Sequence, residues 1–231
     1  MKKSLLVLAV LSAFAPVLAQ AEAGDIVVRL RTAYVNPDEK SKLGTIAPTA
    51  GVNTSAGAVL TVGTNVIPEL DISYYITKNI AAELILAVGT RHNVSITPGT
   101  GSVAADLGKV NLLPPTLTAQ WHFNPDQTID PYVGGGAAFV LGLDRKLTAS
   151  VGATDLPIRI DRSAFGAVLQ AGFDVNLQDK WLVNFDVKKI WFNTDVKLDS
   201  NGVAGLTDGY QKIDNLHINP LVVSVGIGKK F

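Results

Sequence analysis

The residue types that most often carry chemistry are scarce in this sequence. It contains three histidines and no cysteine, and His92, His122 and His217 have no second ligand at the spacing of a metal site. A nucleophile elbow, a phosphate-binding loop and a dinucleotide-binding glycine motif are also missing. The glycines at 134–136 are predicted to relieve crowding between strands instead. We therefore expect no catalysis, no metal and no cofactor.

Ionisable residues recur instead at every second position of segments that alternate between polar and apolar residues. Both signs of charge occur in the set Arg29, Arg31, Glu69, Asp71, Glu83, Asp174, Asp186 and Lys230. Residues two apart on a strand share a face, so these side chains are predicted to lie on one side of a sheet. In a closed interior they must pair, because an unpaired buried charge costs several kcal/mol. The pattern therefore predicts an ion-pair network.

Eight alternating segments supply the strands that would position these charges. They cover residues 25–35, 64–77, 80–92, 112–123, 131–141, 162–176, 181–192 and 216–231. Most are as long as a tilted membrane strand of about 9–11 residues, or somewhat longer. The face opposite the charges is apolar, as in Leu70, Ile72 and Tyr74. That face is broad enough to require lipid.

The connections between these segments alternate in length. Residues 77–79, 124–130 and 177–180 form short connections, whereas 36–63, 93–111, 142–161 and 193–215 form long ones. A soluble sandwich has no reason to sort its loops in this way, but an outer-membrane barrel has short periplasmic turns and long extracellular loops. The predicted fold is all-β: an eight-stranded antiparallel transmembrane β-barrel with four long extracellular loops. Its partner is the lipid of a Gram-negative outer membrane.

The beginning of the sequence and its composition agree with an exported protein. Lys2 and Lys3 precede an apolar run from Leu5 to Phe14, which is too short to span a bilayer. Residues 1–19 are predicted to be a signal peptide, with cleavage after 19, 21 or 23, and residues 20–231 the barrel. The net charge is zero, so no binding of nucleic acid is expected.

Aromatic residues cluster where the short turns meet the strands. This set comprises Tyr74, Tyr75, Trp121, Phe123, Tyr132, Trp181 and Phe231, and Tyr34, Phe139, Trp191 and Phe192 fall near the opposite rim. Rings at both ends of the strands predict interfacial girdles. The alternative is that these rings are core anchors.

Several stretches resemble the OmpW family of Gram-negative outer-membrane proteins. They are "ISYYITKNIAAELILAVGTRH", "LLPPTLTAQWHF", "DPYVGGGAAF", "KWLVNFDVKKIWFNTDV" and "NPLVVSVGIGKKF". The resemblance implies an eight-stranded barrel whose apolar lumen passes or binds small hydrophobic molecules. The terminal Phe231 looks like the signal read by the barrel-assembly machinery, although Lys229 departs from that signal.

The predicted inward residues differ between the two halves of the barrel. Small or apolar residues line the outer half, including Val35, Ile85, Ala87, Val168, Ile190 and Val222. Such a lining favours an apolar ligand, but it is equally typical of a packed, closed barrel. Lys188 faces the same space, where the family pattern has a bulky apolar residue. It is predicted either to join the ion-pair network through Asp186 or Glu83, or to contact a polar ligand head.

Two consecutive prolines interrupt the fourth predicted strand. Pro114 and Pro115 lie opposite Gly89 of the third segment, and prolines cannot donate to a strand ladder. An unsatisfied carbonyl is costly in lipid, so such a gap in the ladder is tolerated only where it lines a cavity. We therefore interpret these residues as the weak seam of a lateral opening from the lumen to the bilayer. The alternative is that the prolines only end strand pairing above the membrane.

Two functions are consistent with these observations. The first is a passive channel for small hydrophobic or amphiphilic molecules. The second is a non-transporting barrel whose outer loops bind phage, bacteriocins or host surfaces. An eight-stranded barrel is too narrow for a water-filled pore, which needs about 16–18 strands.

Overall fold

The fold is taken from a computed structural model that describes residues 22–231 except 53, 56, 88, 89, 98, 100–104, 152, 153 and 204. The predicted signal peptide, residues 1–19, and Gly89 therefore lie outside the described residues. Helical structure within these residues is limited to α1 (Leu43–Ile46) and two 3-10 turns, Ala47–Ala50 and Gln178–Lys180. No described helix is long and apolar enough to cross a membrane.

Eight antiparallel strands close into a barrel, which confirms the predicted fold class. In chain order they are β1 (Ile26–Asn36), β3 (Asn65–Tyr75), β4 (Ile80–Ala87), β7 (Thr116–His122), β8 (Ile129–Asp144), β11 (Ser163–Asn176), β12 (Trp181–Trp191) and β15 (Leu221–Lys230). Each pairs with the next, and β15 pairs with β1, for example at Val28 and Lys229. The end with the short connections is called the turn end here, and the opposite end the loop end.

Three of the predicted strands do not correspond to a single strand each in the structure. The third contains β4, which ends at Ala87, and β5 (Thr90–Thr97). The eighth, residues 216–231, contains the end of a strand over Tyr210–His217 as well as β15. The fourth is divided at the prolines into β6 (Ala105–Leu113) and β7. Proline lacks the N–H that a ladder needs, so the prediction of one continuous strand over 112–123 was wrong at this point.

The segments predicted as loops contain regular sheet. Strands β2 (Val59–Val62), β5 and β6 extend the barrel sheet at the loop end. A separate four-stranded sheet consists of β9 (Lys146–Val151), β10 (Thr154–Ile160), β13 (Asn193–Asp199) and β14 (Tyr210–His217). Alternation is visible in β13, where Thr194, Val196 and Leu198 are buried. The pattern was present in the sequence, but it is short and surrounded by polar residues.

The two faces of the barrel wall divide as the alternation predicts. Apolar side chains such as Leu30, Leu117, Leu169 and Ile227 are exposed on the outside, where lipid covers them. Most of the predicted girdle at the turn end is also exposed: Tyr74, Trp121, Phe123, Trp181 and Phe231. Lys229 lies beside it, with its Nζ 5.1 Å from the centre of the Trp181 ring.

Three aromatic residues do not belong to the girdles. Tyr75 and Tyr132 are buried inside the turn end, where both rings pack against His122. Phe192, predicted at the outer rim, lines the lumen instead. Tyr75 adjoins the outward Tyr74, and neighbouring residues of a strand face opposite sides, so only one of the two can reach the lipid.

Candidate functional site

The turn-end half of the lumen is filled by an ion-pair network. Arg29 contacts Asp71 at 3.0 Å and Asp174 at 2.6 Å. Arg31 lies 2.5 Å from Asp71, 3.3 Å from Glu69 and 3.4 Å from Glu83. Neither arginine is more than 1% exposed. The structure therefore brings the predicted charges of both signs together, and they occupy the interior.

Neutral polar side chains complete the hydrogen bonds of these carboxylates. Glu83 accepts from Thr118 at 2.8 Å and from Gln170 at 2.6 Å. Tyr132 donates to Asp186 at 2.8 Å, and Asn184 donates to Asp174 at 2.8 Å. Buried charges that are paired and hydrogen-bonded on several sides hold one arrangement. We call this assembly the floor.

Two lysines of the predicted network have different positions. Lys188 Nζ contacts Asp186 at 2.5 Å and Glu69 at 3.3 Å, so it joins the floor through these two carboxylates. Lys230 lies closer to the turn end, 3.9 Å from Asp25. It also stands 5.9 Å from the centre of the Tyr75 ring.

Above the floor, the lumen contains an apolar cavity. It has about 710 Å³ of empty space, counted with its open mouth. Only a small part of this space is wide enough for a water molecule, so the cavity is narrow. Six of the predicted residues line it: Val35, Ile85, Ala87, Lys188, Ile190 and Val222. Val168 is buried in the same apolar cluster but is not part of the cavity wall.

Sequence reasoning missed the part of the cavity wall that comes from outside the barrel strands. These residues are Pro37, Val62, Thr90, His92, Leu112, Phe192, Ile218 and Pro220. In a single strand over 80–92, the inward Glu83, Ile85 and Ala87 would be followed by inward residues 89 and 91. In the structure the alternation is shifted by one residue between β4 and β5, and Thr90 and His92 are buried instead. A shift of one residue exchanges the faces of a strand. The local signal in the sequence is Gly89, because an isolated glycine within a strand pattern suggests a bulge.

The prolines lie where the ladder between β4 and β7 stops. The last pair of this ladder is Ile85 with Thr116. Continuing the register would place Leu86 opposite Pro115 and Ala87 opposite Pro114, but neither pair forms. Pairing resumes between β5 and β6 at Thr90 and Leu112. Pro114 also lines the cavity, so the cavity adjoins the interruption in the wall.

A wider apolar cavity lies at the far side of the loop end, with about 1330 Å³ of empty space counted with its mouth. Its walls come from both outer sheets and α1, and include Leu43, Ile96, Leu156, Ile158, Leu198 and Ile213. A smaller cavity, with about 360 Å³ of empty space, is lined by Leu60, Val94, Leu147, Val196 and Leu216. It shares Val62, Leu112 and Ile218 with the lumen cavity.

No group of three or more histidine, cysteine, aspartate or glutamate residues is arranged to hold a metal ion in the part of the chain that the structure describes. His122 is a member of the floor instead. Its Nδ1 lies 2.7 Å from Asp130, and its ring is buried between Tyr75 and Tyr132.

Comparison with known proteins agrees with this architecture. Residues 22–231 match the model of the OmpW family. Outer membrane protein W of Vibrio cholerae is 32% identical over 238 residues, covering 100% of both chains. Outer-membrane protein y4mB of Sinorhizobium fredii is 39% identical over 190 residues, covering 82% of this chain and 76% of that protein. The crystal structure of OprG from Pseudomonas aeruginosa has the same fold, with a TM-score of 0.74 at 22% identity over 93% of this chain and 99% of that one.

Proposed function

Because the chain belongs to the OmpW family, we propose that it is a passive channel through which small hydrophobic or amphiphilic molecules enter. The protein lies in the outer membrane of a Gram-negative bacterium, where lipid surrounds the apolar outer face of its barrel. The solute enters the lumen cavity from the loop end, which faces the outside of the cell. The family is one of outer-membrane barrels rather than a known enzyme family, and the channel acts without catalysis.

The observation that carries this proposal is an apolar cavity directly above a charged floor. Apart from Glu69, Thr90, His92, Thr116 and Lys188, the cavity is lined by apolar side chains and prolines. Apolar surface gains free energy when it leaves water for such a lining. A polar solute would lose its hydration without replacement hydrogen bonds. Because the cavity is narrow, it favours slender solutes such as unbranched aliphatic chains.

The exit lies beside Pro114 and Pro115. The floor blocks straight passage to the turn end, since Arg29, Arg31 and Asp71 are at most 1% exposed. On the lipid side, the missing pairs between β4 and the prolines leave the weakest part of the described wall next to the cavity. A hydrophobic solute that leaves there moves directly into the hydrocarbon of the bilayer.

The test is the rate at which intact cells take up n-octane with and without the protein. We expect faster uptake with it, and a reduction towards the background rate when Ala87→Phe fills the cavity. Ala82→Phe is the matched control, because Ala82 pairs with Ala119 on the outer face. Val222→Phe fills the cavity from β15 and provides a second blocking variant.

Each variant is first shown to be folded by its heat-dependent migration on a denaturing gel. Uptake that stays at the parental rate in folded Ala87→Phe and Val222→Phe contradicts a route through this cavity. Uptake unaffected by loss of the whole protein instead supports the interaction barrel, whose outer sheets would then be tested for binding to phage and bacteriocins.

A further inference from the structure

Two polar side chains stand in the apolar cavity, on the part of the wall that β5 contributes. Thr90 and His92 are 2% and 6% exposed, and both line the cavity. They are two residues apart on one strand, so their side chains share a face about 7 Å apart. A single polar group between them can reach both.

The Thr90 hydroxyl is unsatisfied. Its Oγ1 is buried and has no hydrogen-bond partner among the residues that the structure describes. A buried hydroxyl without a partner costs free energy, and most buried polar groups are therefore hydrogen-bonded. Thr116 lines the same cavity but donates its hydroxyl to the carbonyl of Pro114 at 3.1 Å. Among Glu69, Thr90, His92, Thr116 and Lys188, only Thr90 has a buried polar side-chain atom without a hydrogen-bond partner in the described part of the chain.

His92 lines the same cavity and has a ring nitrogen that can accept a hydrogen bond. Its Nδ1 lies 2.9 Å from the carbonyl oxygen of Gly63. A carbonyl only accepts, so Nδ1 carries the hydrogen and Nε2 of the neutral ring has the free lone pair. Burial lowers the pKa of His92 below its usual range, against the weaker opposing effect of the Gly63 carbonyl, and this favours the neutral ring. The outward neighbours Arg91 and Asn93 are polar and exposed, which places this part of β5 outside the hydrocarbon region.

The charged residues at the base of the cavity have no comparable vacancy. Lys188 is held by Asp186 and Glu69, and Glu69 accepts from Ser224 at 3.1 Å as well. A ligand head that bound there would have to replace existing ion pairs. A head that binds between Thr90 and His92 gains hydrogen bonds and displaces none.

We propose that Thr90 and His92 form a subsite for a hydroxyl group, so that the cavity prefers primary aliphatic alcohols to alkanes and fatty-acid anions. The ligand hydroxyl donates to His92 Nε2 and accepts from Thr90, while its chain lies along Ile85, Ile190 and Val222. A carboxylate would face the lone pair of Nε2 without a hydrogen to donate, and an alkane would leave Thr90 unsatisfied. The subsite rests on the proposed function, since it selects among solutes of the same cavity.

The test compares 1-octanol, n-octane and octanoate as ligands of the protein in lipid nanodiscs, with each ligand corrected for its partition into the lipid. Methyl resonances of Ile190 and Val222 report occupation of the cavity, and the ring nitrogens of His92 report contact with the head. We expect 1-octanol to bind about five- to tenfold more tightly than n-octane, as for one or two net hydrogen bonds. Only the alcohol should shift His92 Nε2.

Thr90→Val retains the shape of the side chain and removes its hydroxyl. It should reduce the preference for the alcohol to about twofold or less, whereas the matched control Thr116→Val should leave it unchanged. An unchanged preference in Thr90→Val, or a response at Lys188 instead of His92, overturns the subsite. If neither n-octane nor 1-octanol shifts the Ile190 and Val222 methyls, the cavity takes no such ligand and the proposed function itself fails.

Discussion

The backbone N–H of Phe139 donates to the carbonyl of Pro115 at 2.9 Å. The proline pair is therefore attached to β8 on one side of the wall. On its other side, the ladder with β4 has already ended at Ile85 and Thr116. Pro115 thus retains an acceptor for β8, while Pro114 lacks the N–H that would be directed towards β4.

Replacing both prolines with valine should close this interruption. Pro114→Val/Pro115→Val restores one N–H directed towards β4, at residue 114, and one directed towards β8, at residue 115, because successive N–H groups of a strand point to opposite neighbours. It also adds side chains that favour strands. Each new ladder bond contributes roughly 1 kcal/mol, so the variant should resist heat at least as well as the parent. Uptake of n-octane into cells should become slower, because the wall between cavity and bilayer is closed.

A small hydrophilic sugar provides the control for this variant and should pass slowly in both proteins. Parental n-octane uptake by a normally inserted double valine variant would exclude the prolines as the exit. They would then only end strand pairing, as the alternative interpretation of the sequence holds.

Removing one arginine from the floor should be far more damaging than removing a surface lysine. Arg31→Ala leaves Glu69, Asp71 and Glu83 without their shared cation. Breaking a buried pair in this way costs about 3–5 kcal/mol. Lys212→Ala is the control, since Lys212 is partly exposed and pairs with Asp195 at 2.7 Å, and exposed pairs contribute roughly 0–1 kcal/mol.

Urea unfolding of the two variants in lipid vesicles measures this difference. Equal losses of unfolding free energy in Arg31→Ala and Lys212→Ala would mean that the floor is not held by its charges. Water entering the lumen would then have to screen them.

The loop-end extension of the barrel sheet, formed by β2, β5 and β6, should lose stability at mildly acidic pH because of His92. Burial keeps the folded-state pKa of this ring below its usual value of 6.5, so the unfolded chain takes up a proton at a higher pH than the folded one. The contribution of the neutral ring is complete above about pH 6.5 and falls as the pH decreases towards the folded pKa. Glu69 and Lys188 are the charged residues that line the same cavity.

The comparison of wild type with His92→Gln at pH 7.5 and at pH 5.5 measures this effect. Between pH 7.5 and pH 5.5, the free energy of unfolding should fall more in the wild type than in His92→Gln. The buried His122 is present in both proteins, so its contribution cancels in the comparison. An identical pH response in the two proteins would show that His92 is not held neutral by burial.

The sequence was informative wherever one physical rule decided the structure. Alternation with period two placed the eight barrel strands, because one face had to meet lipid and the other the lumen. The inward charges could be identified for the same reason, and Arg29, Arg31 and Asp71 do lie together inside. Their individual partners could not be predicted, since pairing depends on the stagger of strands around the barrel.

Two features escaped prediction. The alternation shifts by one residue between β4 and β5, so Thr90 and His92 are buried in place of the residues that a continuous strand would turn inward. The outer sheets have the same period as the barrel, but their strands are short. In β13, the polar residues Asn193, Asp195, Lys197 and Asp199 alternate with Thr194, Val196 and Leu198, and so polar a composition is typical of loops. Their apolar sides are covered by each other rather than by lipid.

Phe231 is predicted to be needed for assembly because it combines an exposed aromatic ring with backbone hydrogen bonds that close the barrel. Its N–H donates to Ile26 at 2.8 Å, and its carbonyl accepts from Ile26 at 3.4 Å. Its ring is 63% exposed on the outside of the turn end. A recognition factor such as the barrel-assembly machinery can therefore reach the ring, whereas the backbone is used to join β15 to β1.

Two variants separate these roles. Deleting Phe231 removes both the ring and the backbone closure, while Phe231→Ala removes only the ring. If the ring is the signal, both variants should insert slowly and leave chain in the periplasm, as measured by cell fractionation and heat-dependent gel migration. Phe165→Ala is the control, since Phe165 is an exposed aromatic residue near the loop end of β11. Normal outer-membrane levels of Phe231→Ala together with loss of the deletion variant would assign the requirement to strand closure instead of recognition.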